Sequence, residues 1–339
     1  MKICYELTTT DTLFLRGAEP LEAGQPSGEA LFPPPVSVLQ GAVRTAVLRQ
    51  RGIAFADYKA GRCPQEILER IGHCGQPAPF HITAVLMRRE DALYAPCPAS
   101  WFVDKAENMD GHANRNTPCA ARPFSPLGRT LLQAALPPKK ASSLLPHSSA
   151  GTALPMVRAK DAKPLAPYWI RLDCLRRPPV TFAAGDLLAK SELYDTESRT
   201  GIAIDSKRKV QEGKIYTAAH IRLRPEVTLL IGLDSDPGLQ KNGRLFLGGE
   251  QRICGYATAA APALPQGEAA LYLALAPLEL TVEILPHVFA ASKPVTLAGW
   301  DLARGFHKAT TAWLPAGSVF TKRINPCCIP LPQGEHHER

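Results

Sequence analysis

Three stretches of this sequence carry side chains and turns able to grip a phosphate chain. In the first, Arg16 and Gly17 precede Ser37, Gln40, Gly41 and Arg44. A helix starting near Ser37 would offer unpaired N–H groups and a positive dipole end, which suits phosphate. Gly41, without a side chain in the first turn, would let a nucleic-acid backbone approach closely. The same residues also read as a solvated Arg44 and a Gly41 packed on a sheet. The second stretch holds Arg199, Lys207, Arg208, Lys209 and Lys214, with Ile202, Ile204 and Ile215 as apolar wedges. Its charge density would neutralise several phosphates, each contact steepening the salt dependence of binding; a solvated hairpin tip is the plain alternative. The third is Gly248-Gly249-Glu250-Gln251-Arg252. Consecutive N–H groups in a glycine turn can form an anion nest, though an ordinary turn explains the string as well.

Catalytic chemistry is less visible. Asp234-Ser235-Asp236-Pro237-Gly238 holds the best acidic pair, but that string is a standard turn sequence. The nine histidines are dispersed, and neither a P-loop nor a dinucleotide fingerprint is present. Cysteines fall at 4, 63, 74, 97, 119, 174, 254, 327 and 328, and none has C-x-x-C spacing. Cys63, His73 and Cys74, with Cys327 and Cys328, are the only local candidates for zinc, and reduced thiols are the simpler reading. No metal and no cofactor is expected.

The elements that would position these groups can be read from periodicity. Residues 2–10 alternate as a first strand, and a Gly- and Pro-containing loop from Arg16 to Pro35 follows. Ser37 and Gln40 read as a capping box opening a helix whose apolar face is Val38, Leu39, Ala42, Val43, Ala46 and Val47, with Gly52 at the C-terminal cap. A hairpin is expected over 80–103, turning at 88–91, and a long exposed loop over 133–167. Strand-like runs flank the polar segment 196–213 as a long hairpin, and another strand follows at 253–258. Further strands are expected at 271–275, 280–285, 295–297 and 319–321, with a domain boundary near residue 262.

The 339 residues are 45% hydrophobic, enough for a folded core of two domains or one with a long insertion. Thirty-nine Lys and Arg against 31 Asp and Glu leave a net charge of +8, which suits a polyanionic partner. The first seven residues lack the apolar run of a signal peptide, and the most hydrophobic stretch, 271–285, is broken by Pro277, Glu279 and Glu283. A cytoplasmic protein without a membrane span is expected.

Several short strings in fixed order resemble a known family. They are Leu13-Phe14-Leu15-Arg16-Gly17, Leu31-Phe32-Pro33-Pro34-Pro35 leading to Gly41-Ala42-Val43-Arg44-Thr45, and Glu197 to Asp205 with Gly213-Lys214-Ile215-Tyr216. Gly248 to Arg252, Gly299-Trp300-Asp301 and Pro315 to Phe320 complete the set. Together they resemble the third subunit of the Cmr (type III-B) CRISPR effector complex, a RAMP-superfamily protein, although 55–185 matches only loosely. The resemblance implies an α+β fold of two ferredoxin-like (RRM-like) βαββαβ units with antiparallel sheets. These would be 1–262, carrying an insertion at about 55–185 and a thumb hairpin at 196–214, and 263–339. It implies a non-catalytic subunit that holds the 5′ handle of the guide RNA, with a thumb at the guide–target duplex. Its neighbours would be the large polymerase-like subunit and a backbone subunit. Arg16, Ser37, Gln40, Arg44, Gly248, Gly249 and Arg252 would face the handle. A metal-independent RNA-processing endonuclease of the same superfamily, with His220 as its nearest general base, and a protein scaffold without RNA contact are the alternatives.

Overall fold

The computed structural model describes residues 1–18, 30–104, 118–120, 122–123, 162–176, 181–204, 209–301 and 303–331. Its elements begin with β1 (Ile3–Thr9), α1 (Val36–Gln50), α2 (Phe55–Lys59) and α3 (Gln65–Ile71). Strands β2 (Ile82–Arg89), β3 (Ala92–Pro96), β4 (Trp169–Arg171) and β5 (Leu187–Leu188) follow. The next five are β6 (Tyr194–Ile204), β7 (Val210–Leu223), β8 (Val227–Leu233), β9 (Asn242–Phe246) and β10 (Ile253–Ala259).

Eight of these strands make one sheet in the order β5-β4-β3-β2-β8-β1-β10-β9, every ladder antiparallel. Because β1 and β2 both pair antiparallel to β8, they run parallel to each other. Helix α1 is the crossover between them, the split βαβ arrangement that opens a ferredoxin-like unit. From β8 to β10 the chain forms β9 and a glycine turn in place of a second helix.

Period-two alternation feeds two cores, one on each face. Tyr5, Leu7, Val85, Met87, Leu229 and Ile231 meet Leu39 and Val43 of α1 on one face. Cys4, Ala84, Leu86 and Leu230 meet Trp101, Leu165, Leu273 and Val319 on the other. The strands after residue 262 therefore share both cores with the large sheet. Those strands are Tyr272–Ala274, Leu278–Glu279, Val288–Ala290, Val295–Leu297, Thr311–Leu314, Val319–Phe320 and Cys328–Pro330, in a four-stranded and a three-stranded sheet.

Several expectations hold. The helix buries Leu39, Ala42, Val43, Ala46 and Val47. Gly52, at φ +65, ends it: Gly52 N–H donates to Arg49 O and Ile53 N–H to Leu48 O, which satisfies the last carbonyls. The 82–96 hairpin forms too, but inside the stretch expected as an insertion, where β2 is instead a central strand.

Three expectations do not hold. Helix α1 begins at Val36 with Pro35 as its cap, so Ser37 already lies in the first turn and makes no capping bond. Gln40 Nε2 instead donates to Phe80 O at 2.9 Å, and the capping box does not form. The run expected as a strand at 280–285 ends in a 3-10 turn, Leu285–His287. Finally, 263–339 carries no α-helix among the described residues, so the second βαββαβ unit is not seen in them. Prolines at 262, 265, 277, 286, 294, 315, 326 and 330 break up much of that segment, and its longest proline-free run, 295–314, forms strands instead. Of the expected 133–167 loop, most lies outside the described residues.

Leu39 is 1% exposed between α1 and the sheet. Leu39→Ala is expected to cost about 2–5 kcal/mol, read as a lower urea midpoint with an unchanged slope.

Candidate nucleic-acid interface

The site is assembled on the short segment that follows β1. Leu13 N–H donates to Ile221 O at 2.8 Å and Ile221 N–H to Leu13 O at 2.9 Å, which joins the segment to β7. On its other side Gly249 N–H donates to Phe14 O at 2.8 Å, and Phe14 forms a parallel bridge with Gly248. A Cβ on Gly248, whose φ is +82, would sit 2.5 Å from Phe14 O, and one on Gly249 2.7 Å from Phe14 Cδ1. Only glycine lets the 248–252 turn lie against this backbone. The glycine pair thus serves as a docking seam, with the Gly249 donor spent inside the protein rather than open to a phosphate.

Strands β6 and β7 form a separate two-stranded hairpin, in register from Tyr194 opposite Leu223 to Ile202 opposite Ile215. Its base is anchored by buried Leu193, Tyr194, Ile221 and Leu223. Farther out it is open, with Ile202 49% exposed. Tyr216 covers Gly201 there, occupying the space a side chain would take. This is the hairpin expected over 196–214. Lys207 and Arg208 lie outside the described residues, and nothing is described of the Lys214 side chain. Lys209 is exposed near the tip.

Between hairpin and seam lies a charged network that sequence reading did not find. Asp11 is contacted by Arg252 at 2.8 Å, Arg222 at 3.0 Å and Arg199 at 3.6 Å. Arg222 and Arg199 also bind Glu197, and Arg252 binds Glu250 at 2.5 Å. A hydrogen bond from Thr12 N–H, then the Arg222 and Arg199 guanidiniums, hold the Asp11 carboxyl below its ordinary 3.8. The bond from Arg222 likewise lowers Glu197, and the bond to Glu197 raises Arg222.

His220 is buried beneath this network. Its ring stacks on Phe14 at 4.9 Å, and Nδ1 shares a hydrogen bond with Thr12 Oγ1 at 3.1 Å. Burial pushes its pKa down, which favours the uncharged imidazole. At 1% exposure it is held as a packing group and cannot reach a scissile phosphate in this conformation.

The remaining sequence candidates separate into two sets. Arg16 is exposed, with its main chain bridged to Ala30 on the way to α1, and it makes no ion pair among the described residues. Gly17 sits beside it, and Ser37 and Gly41 are exposed on α1, the latter with open space around it. Gln251 is exposed in the glycine turn at φ 50. In contrast, Arg44 turns inward: it donates to Gln76 O at 3.1 Å, to Tyr58 OH at 2.5 Å and to His73 O. Gln40, Arg199 and Arg252 are also engaged internally. Asp11 and Arg222 escaped the sequence reading, and Phe14, Glu197 and Glu250 entered it only as parts of longer strings, because only the hairpin register brings 197 and 222 to residue 11.

No group of three or more His, Cys, Asp or Glu that could hold a metal is present among the described residues. Among those residues, too, no helix is long and apolar enough to cross a membrane.

The fold occurs among CRISPR effector subunits. A chain of the type III-B Cmr-β complex bound to cognate target RNA superposes with a TM-score of 0.52 at 16% identity, over 94% of this chain and 86% of its own. A chain of the same complex with cognate target RNA and AMPPnP (state 1) gives 0.51 at 14% identity, over 94% and 85%. No curated protein matches significantly in sequence. Residues 5–274 match the family described as CRISPR-associated protein (Cas_Cmr3), and the chain belongs to that family, a RAMP-type component of the type III-B Cmr effector complex.

A carboxylate whose pKa is lowered on folding stabilises above its unfolded pKa, and that contribution is lost as the pH falls through the folded value. Asp11→Asn should therefore lower Tm at neutral pH, with the difference from the parent shrinking as the pH drops below about 4. A Tm difference unchanged from neutral to acid would contradict the ion-pair role of Asp11.

Proposed function

We propose that this protein is the RNA-binding subunit that caps the effector complex and holds the 5′ handle of the guide, without cutting RNA itself. The handle lies along the Arg16 loop, the exposed start of α1 and the glycine turn. The β6–β7 hairpin reaches as a thumb toward the guide–target duplex, and the large polymerase-like subunit and a backbone subunit pack alongside. One observation carries the reading: segments more than 200 residues apart close onto the Phe14 backbone, with Arg16 left exposed two residues farther along. Single-stranded RNA is held by backbone contacts, stacking and positive charge rather than by an acid and a base, and this surface offers the first group. The enclosure of His220 favours binding over the endonuclease alternative. The Cmr-β relatives, solved with cognate target RNA, support an RNA partner.

Arg16→Ala is the test, using fluorescence anisotropy with a labelled handle RNA across a salt series. Loss of one phosphate contact should weaken binding and lessen the slope of log K against log salt by about 0.7. An affinity and slope equal to those of the parent would contradict the assignment of this surface.

A further inference from the structure

Residues 295–314 form one long hairpin whose tip carries an aromatic ring into solvent. At its base Thr296 pairs with Ala312. Farther out, Lys308 N–H donates to Gly299 O at 2.8 Å, and Trp300 and Asp301 pair with His307 and Phe306. Asp301 ties the turn: one carboxylate oxygen accepts from Ala303 N–H at 2.9 Å and Arg304 N–H at 3.2 Å, and its main-chain oxygen accepts from Gly305 N–H at 2.7 Å. These bonds brace the turn at the tip.

On this tip Phe306 is 68% exposed. His307 stands edge-on to it at 5.8 Å, the Arg304 side chain is 85% exposed, and Lys308 is exposed as well. The nearby carboxylate, Asp301, ties the turn through one oxygen and lies 3.9 Å from Arg304 Nε through the other. An aromatic face among cations matches what a single strand needs, a surface for one base and charge for its phosphates.

Two close approaches show where the hairpin runs. A Cβ on Gly17 would lie 3.5 Å from Thr296 O, so the base adjoins the Arg16 loop. A Cβ on Gly75 would lie 3.0 Å from Ala303 Cβ, so the tip rests on the 73–76 turn that Arg44 holds through the carbonyls of Gln76 and His73. The hairpin therefore links the Arg16 loop to the turn clamped by α1. Phe306, opposite Asp301, stands about 16 Å beyond Thr296 at the rise of an extended strand.

We propose that Phe306, flanked by Arg304 and Lys308, is a stacking platform for one base of the single-stranded RNA that passes Arg16. This extends the RNA surface onto the C-terminal hairpin and rests on reading the Arg16 surface as RNA-binding. It also gives Arg44 a positioning role, since the turn it clamps supports the platform.

The experiment titrates the full chain with handle RNAs in which 2-aminopurine replaces one base at a time. Stacking on Phe306 quenches one position in the parent, Phe306→Trp keeps the quench, and Phe306→Ala restores the fluorescence and weakens binding about tenfold. Phe306 is exposed, so the Ala variant is expected to fold like the parent. If Arg16→Ala weakens binding while Phe306→Ala changes neither affinity nor any fluorescence, the platform is wrong and the Arg16 surface stands. If neither variant alters binding, both readings fall. If Phe306→Ala spares RNA binding but blocks assembly with other subunits, the tip is a protein-docking element and the proposal is overturned.

Discussion

The Phe14 main chain is the seam on which the interface depends. Its neighbour Leu13 exchanges two hydrogen bonds with β7, and its own carbonyl takes the Gly249 N–H. A side chain at 248 would drive into that backbone, and one at 249 into the Phe14 ring. Hairpin, loop and glycine turn are therefore fixed relative to one another by peptide geometry, before any charged group is considered.

Charge is then distributed around the seam unevenly. Arg199, Arg222 and Arg252 are matched by Asp11, Glu197 and Glu250, so this centre is internally neutralised. Ion pairs this exposed contribute little one at a time. Further cations face solvent to either side: Arg16 in the loop, and Arg304 with Lys308 on the C-terminal hairpin, where Asp301 lies close to Arg304. A strand of RNA crossing from one to the other would meet positive charge at both ends and an aromatic ring between Arg304 and Lys308.

Much of the fold was legible because period and capping are local properties. The first strand, the apolar stripe of α1, the cap at Gly52 and the long hairpin all follow from neighbouring residues. The site was legible only in outline. Gly248 and Gly249 drew attention as glycines, yet their reason is Phe14, which no local pattern connects to them. Arg44 read as a free surface charge because the carbonyls it serves, at His73 and Gln76, belong to a turn about 30 residues on. Asp11 drew no attention, because Arg199 and Arg222 reach it through the pairing register of β6 and β7, and Arg252 through the glycine turn. The missing helices after residue 262 were hidden by the family resemblance, although the prolines there argue against them.

Ultraviolet cross-linking of the guide-loaded effector complex, followed by mass spectrometry of the cross-linked peptides, addresses the central claim most directly. The account predicts that handle nucleotides attach to peptides containing 11–17, 248–252 and 299–308, which are distant in sequence. Handle cross-links confined to other parts of the chain, or to other subunits, would contradict it.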